Sequence, residues 1–250
     1  MNLQIIKNLN IFKDELISFV KLENQGFNNI NYLLKTSEKS YIIRVFKSTN
    51  SVNISREFEF KVQKKAFIKN IAPKAIYLND TFMIYKYTKG IHKTKLSKRN
   101  LLNLTSKVKK IHKLKLTSNI YNLKADFKMY KKELKDEKSK KLLEKSFKSL
   151  KEIKKMKIQL GLVHHDLNPK NIIFKNDNIK IIDWEYAGLN DIFFDFASIC
   201  IEFKLSKEDE EILLKNYFYK NKSFHKIKLK HYKIIYKNLC TLWFLKNNLI

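Results

Sequence analysis

The chain has 250 residues, of which 44% are hydrophobic and 13% aromatic, and it carries a formal net charge of +28. That length and apolar content suffice for a sizeable core, in one large domain or two unequal lobes, and exclude a disordered chain. The charge points at first to nucleic acid, but of 52 basic residues only Arg44, Arg56 and Arg99 are arginine; readers of guanine and phosphate rely on arginine's bidentate fork, so no nucleic-acid partner is expected.

In chain order, "IFKDELISFVKL" (residues 11–22) has helical spacing. "INYLLKT" and "YIIRVF", joined by the polar turn "SEKS", read as a β-hairpin. "SREFEFKVQKKAFIKN" is an amphipathic helix, and "AIYLND" with "TFMIYKY" forms a second hairpin ending at Gly90. From residue 99 the pattern turns helical, with "RNLLNLTSKVKKIHKLKL" followed by a lysine-rich stretch from about 127 to 157 that sets Leu142, Leu143, Phe147, Leu150 and Ile153 on one face. Strands return as "LVHHD", "NIIF" and "IKIIDW", the last two separated by the turn "KNDN". The remainder is helical, with Ser206 and Asp209 reading as a capping box before "EEILLKNYFY".

Charge is unevenly placed. Residues 91–160 carry 23 basic and six acidic side chains, a pattern of solvated helix faces, whereas residues 161–205 carry four lysines against seven acids. Cys200 and Cys240 lie in apolar surroundings and read as two buried thiols. No stretch approaches the length of a membrane span, and the amino terminus has no signal-peptide pattern, so a cytoplasmic protein is expected.

The scarce residues gather in "GLVHHDLNPKNIIF" (residues 161–174). If "LVHHD" and "IKIIDW" flank "NIIF", then Asp166, Asn171 and Asp183 come out at one edge. An amide and a carboxylate there hold Mg²⁺ through oxygen, with positions left for water and phosphate. Asp166 is then free to take a proton. His164 and His165 as a zinc pair lack a third ligand at suitable spacing. His92, His112, His225 and His231 are most simply surface or packing residues, and turn and capping chemistry accounts for Asp177 and Asp191.

The order His164-x-Asp166-x₄-Asn171, followed by Asp183 at a strand end, resembles the catalytic loop and metal-binding Asp of the kinase superfamily. "IDWEYAGLNDIFFDFA" (residues 182–197) resembles the signature of choline and ethanolamine kinases. "QGFNNINYLL" is similar to that family's glycine-poor phosphate loop, with Asn28 where threonine is common, and Arg44 stands where protein kinases carry their strand lysine.

The resemblance implies an α+β, two-lobed kinase-like fold, with residues 1–88 as a small antiparallel nucleotide lobe and 89–250 as a mostly helical catalytic lobe. It implies ATP and Mg²⁺ as cofactors and a small cationic alcohol as substrate. Asp166 would orient the hydroxyl and accept its proton, and Asn171 and Asp183 would hold the metal. Arg44 would position the phosphates, paired with Glu59 in preference to Glu57. Backbone around Gly26, Asn28 and Asn29 would cover the phosphates, and Tyr85 and Tyr87 lie in the hinge against adenine. His164 and Asp195 would brace the loop. Glu185, Tyr186, Glu202 and Trp243 would shape the substrate pocket, although Glu202 reads equally as a helix-surface acid and Trp243 as a helix anchor. Choline, ethanolamine and other amino alcohols stay open as substrates. The alternatives are an aminoglycoside or other small-alcohol phosphotransferase and, from another class, a non-catalytic or nucleic-acid-binding basic protein.

Overall fold

A computed structural model of the protein describes residues 3–23, 28–47, 55–219 and 222–249. The chain divides into two compact units. The first comprises Met1–Ile91 together with the later segments Ile173–Lys175 and Lys180–Tyr186, and the second comprises the rest.

In the first unit a short helix α1 (Leu3–Lys7) precedes five strands, β1 (Leu16–Lys21), β2 (Asn29–Thr36), β3 (Ser40–Phe46), β4 (Ala75–Leu78) and β5 (Phe82–Lys86). They form one antiparallel sheet in the order β1-β2-β3-β5-β4. Both expected hairpins are present. The helix expected over residues 11–22 is not: the segment forms edge strand β1, with Phe19 opposite Leu34 and stacked on Tyr32 at 4.7 Å. Ile17 and Val20, which contributed to the helical spacing, are exposed on β1. Pairing to a strand further along the chain overrides a local period.

Helix α2 (Arg56–Ile68) starts where the Ser55 hydroxyl accepts the Phe58 N–H at 3.3 Å. Its buried side chains are Glu59, Val62, Gln63 and Ala66, one face of a 3.6-residue period. Glu59 is therefore inside, while Glu57 is exposed beside Lys61. The returning segment is anchored by the Ile181 N–H donating to the Ile71 carbonyl at 2.8 Å and by the fully buried Trp184, whose indole donates to the Ile181 carbonyl. It delivers Asp183 and Glu185 to the first unit.

The second unit contains α3 (Lys98–Ile111), α4 (Leu123–Glu133), α5 (Glu137–Lys154), α6 (Phe193–Glu202), α7 (Lys207–Phe218) and α8 (Ser223–Lys246). The helical stretch from about 127 to 157 is divided between α4 and α5, because Asp136 restarts the chain by accepting the Ser139 N–H at 2.9 Å. The α5 face packed most deeply is Ser139, Leu143, Ser146 and Ser149, with Asn238 of α8 donating to the Ser146 hydroxyl. Ser206 caps α7 through Asp209, as expected. Cys200 and Cys240 are free thiols, Cys200 buried and Cys240 half-buried.

The three strands around the motif do not lie side by side. β6 (Leu160–Val163) pairs antiparallel with β9 (Gly188–Asp191), an element the residue pattern did not reveal, while β7 (Ile172–Lys175) pairs with β8 (Asn178–Ile181). Four residues around Gly188 carry too little alternation to announce a strand. Among the described residues no helix is long and apolar enough to cross a membrane.

The edge position of β1 has a measurable consequence. Ile43, fully buried with Ile6, Leu34, Phe82 and Ile84, is expected to cost about 2–5 kcal/mol as Ile43→Ala. Ile17→Ala, on a side chain 64% exposed, should stay within about 0.5 kcal/mol. Urea denaturation of both variants checks the assignment; a core-sized loss at Ile17 would restore the helix.

Candidate active site

In the second unit, β6 leads into a loop whose backbone is fastened from beneath. Gly161 is needed on the way: a Cβ there would come within 2.9 Å of the His112 carbonyl. Asp195, in the first turn of α6 and fully buried, accepts the His164 N–H through Oδ2 and the His165 N–H through Oδ1, each at 3.0 Å. His112 Nε2 donates to the same Oδ2 at 3.1 Å, and its Nδ1 pairs with the Tyr217 hydroxyl at 2.9 Å. Burial alone would raise the Asp195 pKa. The bond and charge from His112, with the charge and N–H of His164, outweigh it and hold the carboxyl below its ordinary range.

Fixing two consecutive N–H groups on one carboxylate bends the chain, and His165 takes φ 68°. Its ring lies between Tyr121 and Phe194, with centroids 4.7 and 4.8 Å away, and accepts from Asn190. The Asp166 N–H donates to His164 Nδ1 at 3.3 Å. The Asp166 carboxylate is held at both oxygens, Oδ1 by Asn168 Nδ2 at 2.8 Å and Oδ2 by Asn171 Nδ2 at 2.7 Å. Asn168 in turn caps the single 3₁₀ turn Pro169–Asn171. Asn171 Nδ2 also donates to the Asp166 carbonyl, which leaves its own Oδ1 without a donor among the described residues.

Beside this loop lies a second acid. Glu202 Oε1 accepts the Tyr236 hydroxyl at 2.9 Å, and the Tyr236 ring meets Phe194 edge-on at 5.6 Å. Burial pushes the Tyr236 hydroxyl well above its ordinary pKa, with Cys240 and the carboxylates of Glu202 and Asp166 adding to it. Burial likewise pushes the Cys240 thiol up to about 12, with the same two carboxylates contributing. Asp166 and Glu202 thus act on one aromatic-lined place. Trp243, half-buried on α8, sits edge-on to Phe244 at 5.2 Å.

The first unit holds a charge cluster. Arg44 on β3 donates through Nη1 to Glu59 Oε1 at 2.7 Å, and through Nη2 to Asp183 Oδ1 at 2.5 Å and Glu185 Oε2 at 2.9 Å. Arg56 donates through Nη1 to Glu59 Oε2 and Glu185 Oε2, both at 2.9 Å. Asn28 and Asn29 also donate to Glu185, and Asn28 reaches the Tyr186 hydroxyl at 2.8 Å. Burial opposes the Arg44 charge, but Asp183, Glu59 and Glu185 hold its pKa well above the ordinary value. Burial also opposes charge on Glu185; Arg44, Asn28, Asn29 and Arg56 outweigh it and keep this carboxyl low. Tyr85 is buried against the cluster, and burial followed by the charges of Asp183 and Glu59 keeps its hydroxyl protonated. Tyr87 is exposed, its N–H on the Ser40 carbonyl. Gly26 lies outside the described residues.

Asp183 stands apart in this cluster. Its backbone takes φ 65°, its side chain is 31% exposed, and no donor among the described residues reaches Oδ2. The donors open to a metal here and on Asn171 are oxygens alone, and no group of three or more His, Cys, Asp or Glu among the described residues is placed to hold an ion. Asp183 in the first unit and Asn171 in the second each present an oxygen donor, the type that suits Mg²⁺.

Five residues of these networks escaped the sequence reading. His112, expected at the surface or in packing, is the buried partner of Asp195, and His92 donates to the Pro169 and Ile172 carbonyls of the loop. Asn168 and Arg56 complete the list of missed donors. Tyr236 did have a signal, lying two helical turns before Trp243 on one face of α8.

A family model described as choline/ethanolamine kinase matches residues 17–243. The LicA protein of Haemophilus influenzae is 27% identical over 238 residues, covering 88% of this chain and 70% of its own. Among solved structures, the choline kinase LicA from Streptococcus pneumoniae superposes with a TM-score of 0.82 at 21% identity, over 98% of this chain and 90% of its own. The streptomycin–ATP–APH(2")-IIa ternary complex superposes at 0.71 and 23% identity, over 97% and 90%. The fold is the kinase-like α+β fold these structures share.

Because the Asp195 pKa is depressed in the fold, its stabilisation is present above the unfolded carboxylate value and is lost as pH falls through the folded one. Asp195→Asn should cost on the order of 3 kcal/mol at pH 7, a gap from the parent that narrows below about pH 4. Thermal melts at the two pH values check this, and a gap that widens in acid contradicts it.

Proposed function

The chain belongs to the choline/ethanolamine kinase family, and we propose that it transfers the γ-phosphoryl group of ATP to the hydroxyl of choline or a related amino alcohol. The observation that carries this reading is the Asp166 carboxylate, clamped at both oxygens by Asn168 and Asn171 on a loop pinned by Asp195. A general base must be fixed in direction with acceptor oxygens in place, and the two amide bonds fix this carboxylate.

In this reading the substrate hydroxyl donates to Asp166, which orients the oxygen toward the phosphorus. As the new O–P bond forms and the bond from phosphorus to the ADP oxygen breaks, the hydroxyl proton passes to Asp166. Asp183 and the Asn171 amide oxygen are the residues that would hold Mg²⁺, which would supply charge neutralisation to the phosphates. Arg44, kept cationic and steadied by Glu59, positions the phosphates, and the backbone of Asn28 and Asn29 covers them. Tyr85 and Tyr87 belong to the adenine side. His164 is assigned to bracing, since its ring receives the Asp166 N–H and its own N–H ends on Asp195.

A cationic head group is supported by Glu202, Asp166 and the rings of Tyr236, Phe194 and Trp243, a combination of surplus negative charge and aromatic faces. Glu185 and Tyr186 are assigned differently from the sequence expectation, to holding the Asn28–Asn29 segment, because Glu185 already accepts four donors. A reaction that draws on ATP supports a cytoplasmic location.

ADP release measured over choline, ethanolamine, other amino alcohols and aminoglycosides tests the reading. Turnover is expected on a quaternary or primary amino alcohol, and Asp166→Ala should lower it by about 10²–10⁴-fold. Undiminished turnover in that variant removes Asp166 from the chemistry, and turnover on aminoglycosides alone replaces the substrate. Trp243→Ala should raise the KM for choline roughly 2- to 30-fold with the KM for ATP unchanged; an effect on ATP alone contradicts the aromatic assignment.

A further inference from the structure

Three carboxylates and two guanidiniums meet in the first unit, and their bonds are not equivalent. Glu59 has one oxygen on Arg44 and the other on Arg56, while Glu185 Oε2 receives both arginines. Arg44, Glu59, Arg56 and Glu185 thereby close a ring of two cations and two anions, which is neutral. Asp183 hangs from that ring by a single bond to Arg44 and carries the surplus negative charge. Every side chain of the ring is at least 85% buried, whereas Asp183 is 31% exposed.

The ring sets a condition on Arg44. To reach a phosphate oxygen, its Nη2 must give up Asp183 or Glu185, the acceptors of its two N–H groups. A buried carboxylate stripped of its counter-ion is strongly disfavoured, because it has lost both water and partner. Arg56 removes that obstacle: with Arg44 turned away, Glu185 keeps Arg56, Asn28 and Asn29, and Glu59 keeps Arg56 on Oε2. Arg56 is itself seated independently of Arg44, on the first turn of α2 with its guanidinium carbon 4.2 Å from the centroid of the Phe46 ring.

We propose that Arg56 is a positioning residue: a standing counter-ion to Glu59 and Glu185 that frees Arg44 for the nucleotide phosphates. The inference rests on the reading above, in which Arg44 serves the nucleotide. Replacing Arg56 leaves Arg44 as the sole cation for three carboxylates and commits it to them. A lysine at 56 restores the charge but not the planar fork that serves two carboxylates from one seat.

The test is calorimetric binding of ADP with Mg²⁺ to the full chain, which needs no alcohol substrate. The parent protein is expected to bind, Arg56→Gln to bind about tenfold more weakly, and Arg56→Lys to fall between them. The KM for the alcohol should stay within about twofold in both variants, since no alcohol-side residue is touched. Thermal melts show whether each variant is folded; if Arg56→Gln is not, Arg56→Lys carries the comparison. Folded variants that bind ADP as tightly as the parent overturn the role of Arg56 and leave the proposed function intact. A parent protein that binds no nucleotide overturns the functional reading itself, and the inference with it.

Discussion

A carboxylate taken out of water must be given donors, and this structure is arranged around meeting that requirement several times over. Asp195 is fully buried and takes two consecutive backbone N–H groups and one imidazole. Because those N–H groups belong to His164 and His165, satisfying Asp195 also fixes the path of the chain into Asp166. The strained φ of His165 is the visible consequence, since the loop is shaped by its anchor and not by local preference. The setting of Asp166 follows: its carboxylate is directed by the Asn168 and Asn171 amides.

The same requirement organises the first unit with different means. Where Asp195 uses backbone donors, Glu59 and Glu185 use guanidiniums and amides. Backbone donors do not move, and they suit a loop that has to stay put. Side-chain donors exchange partners, and they suit a cluster where one cation must turn toward a ligand. The surplus charge falls on Asp183, the most exposed of the cluster's three carboxylates, where it is desolvated least.

How much of this could be read in the residues depended on how far apart the partners lie. Asp166 and Asn171 are five residues apart, and their chemistry fixes their identity, so the motif was legible. The choice of Glu59 over Glu57 agreed with helical periodicity, because only one of two neighbours two positions apart faces inward. The edge strand β1 was misread, since its apolar residues satisfy a helical period and its partner lies beyond a loop. The β6–β9 pairing was invisible for the same reason, with 24 residues between the two strands. His112 and Arg56 were missed because a buried polar residue declares itself only through partners distant in sequence. Tyr236, by contrast, was legible, because it lies seven residues before Trp243 on one face of a helix.

The scarcity of arginine can now be argued by geometry. Lys228, 1% exposed on α8, shows that a buried ion pair does not in itself demand arginine: it pairs with Asp191, donates to the Lys157 carbonyl and lies 4.9 Å from the centre of the Phe193 ring. That lysine serves one carboxylate. Arg44 serves three and Arg56 two, each with its acceptors spread in a plane that an ammonium on a flexible stem does not match. Arg99, largely exposed against Asp177, meets no such demand, and nothing in the structure explains its identity. Two of the three arginines therefore stand where one cation must satisfy several buried acids, and the abundant lysines fill the positions where a single charge suffices.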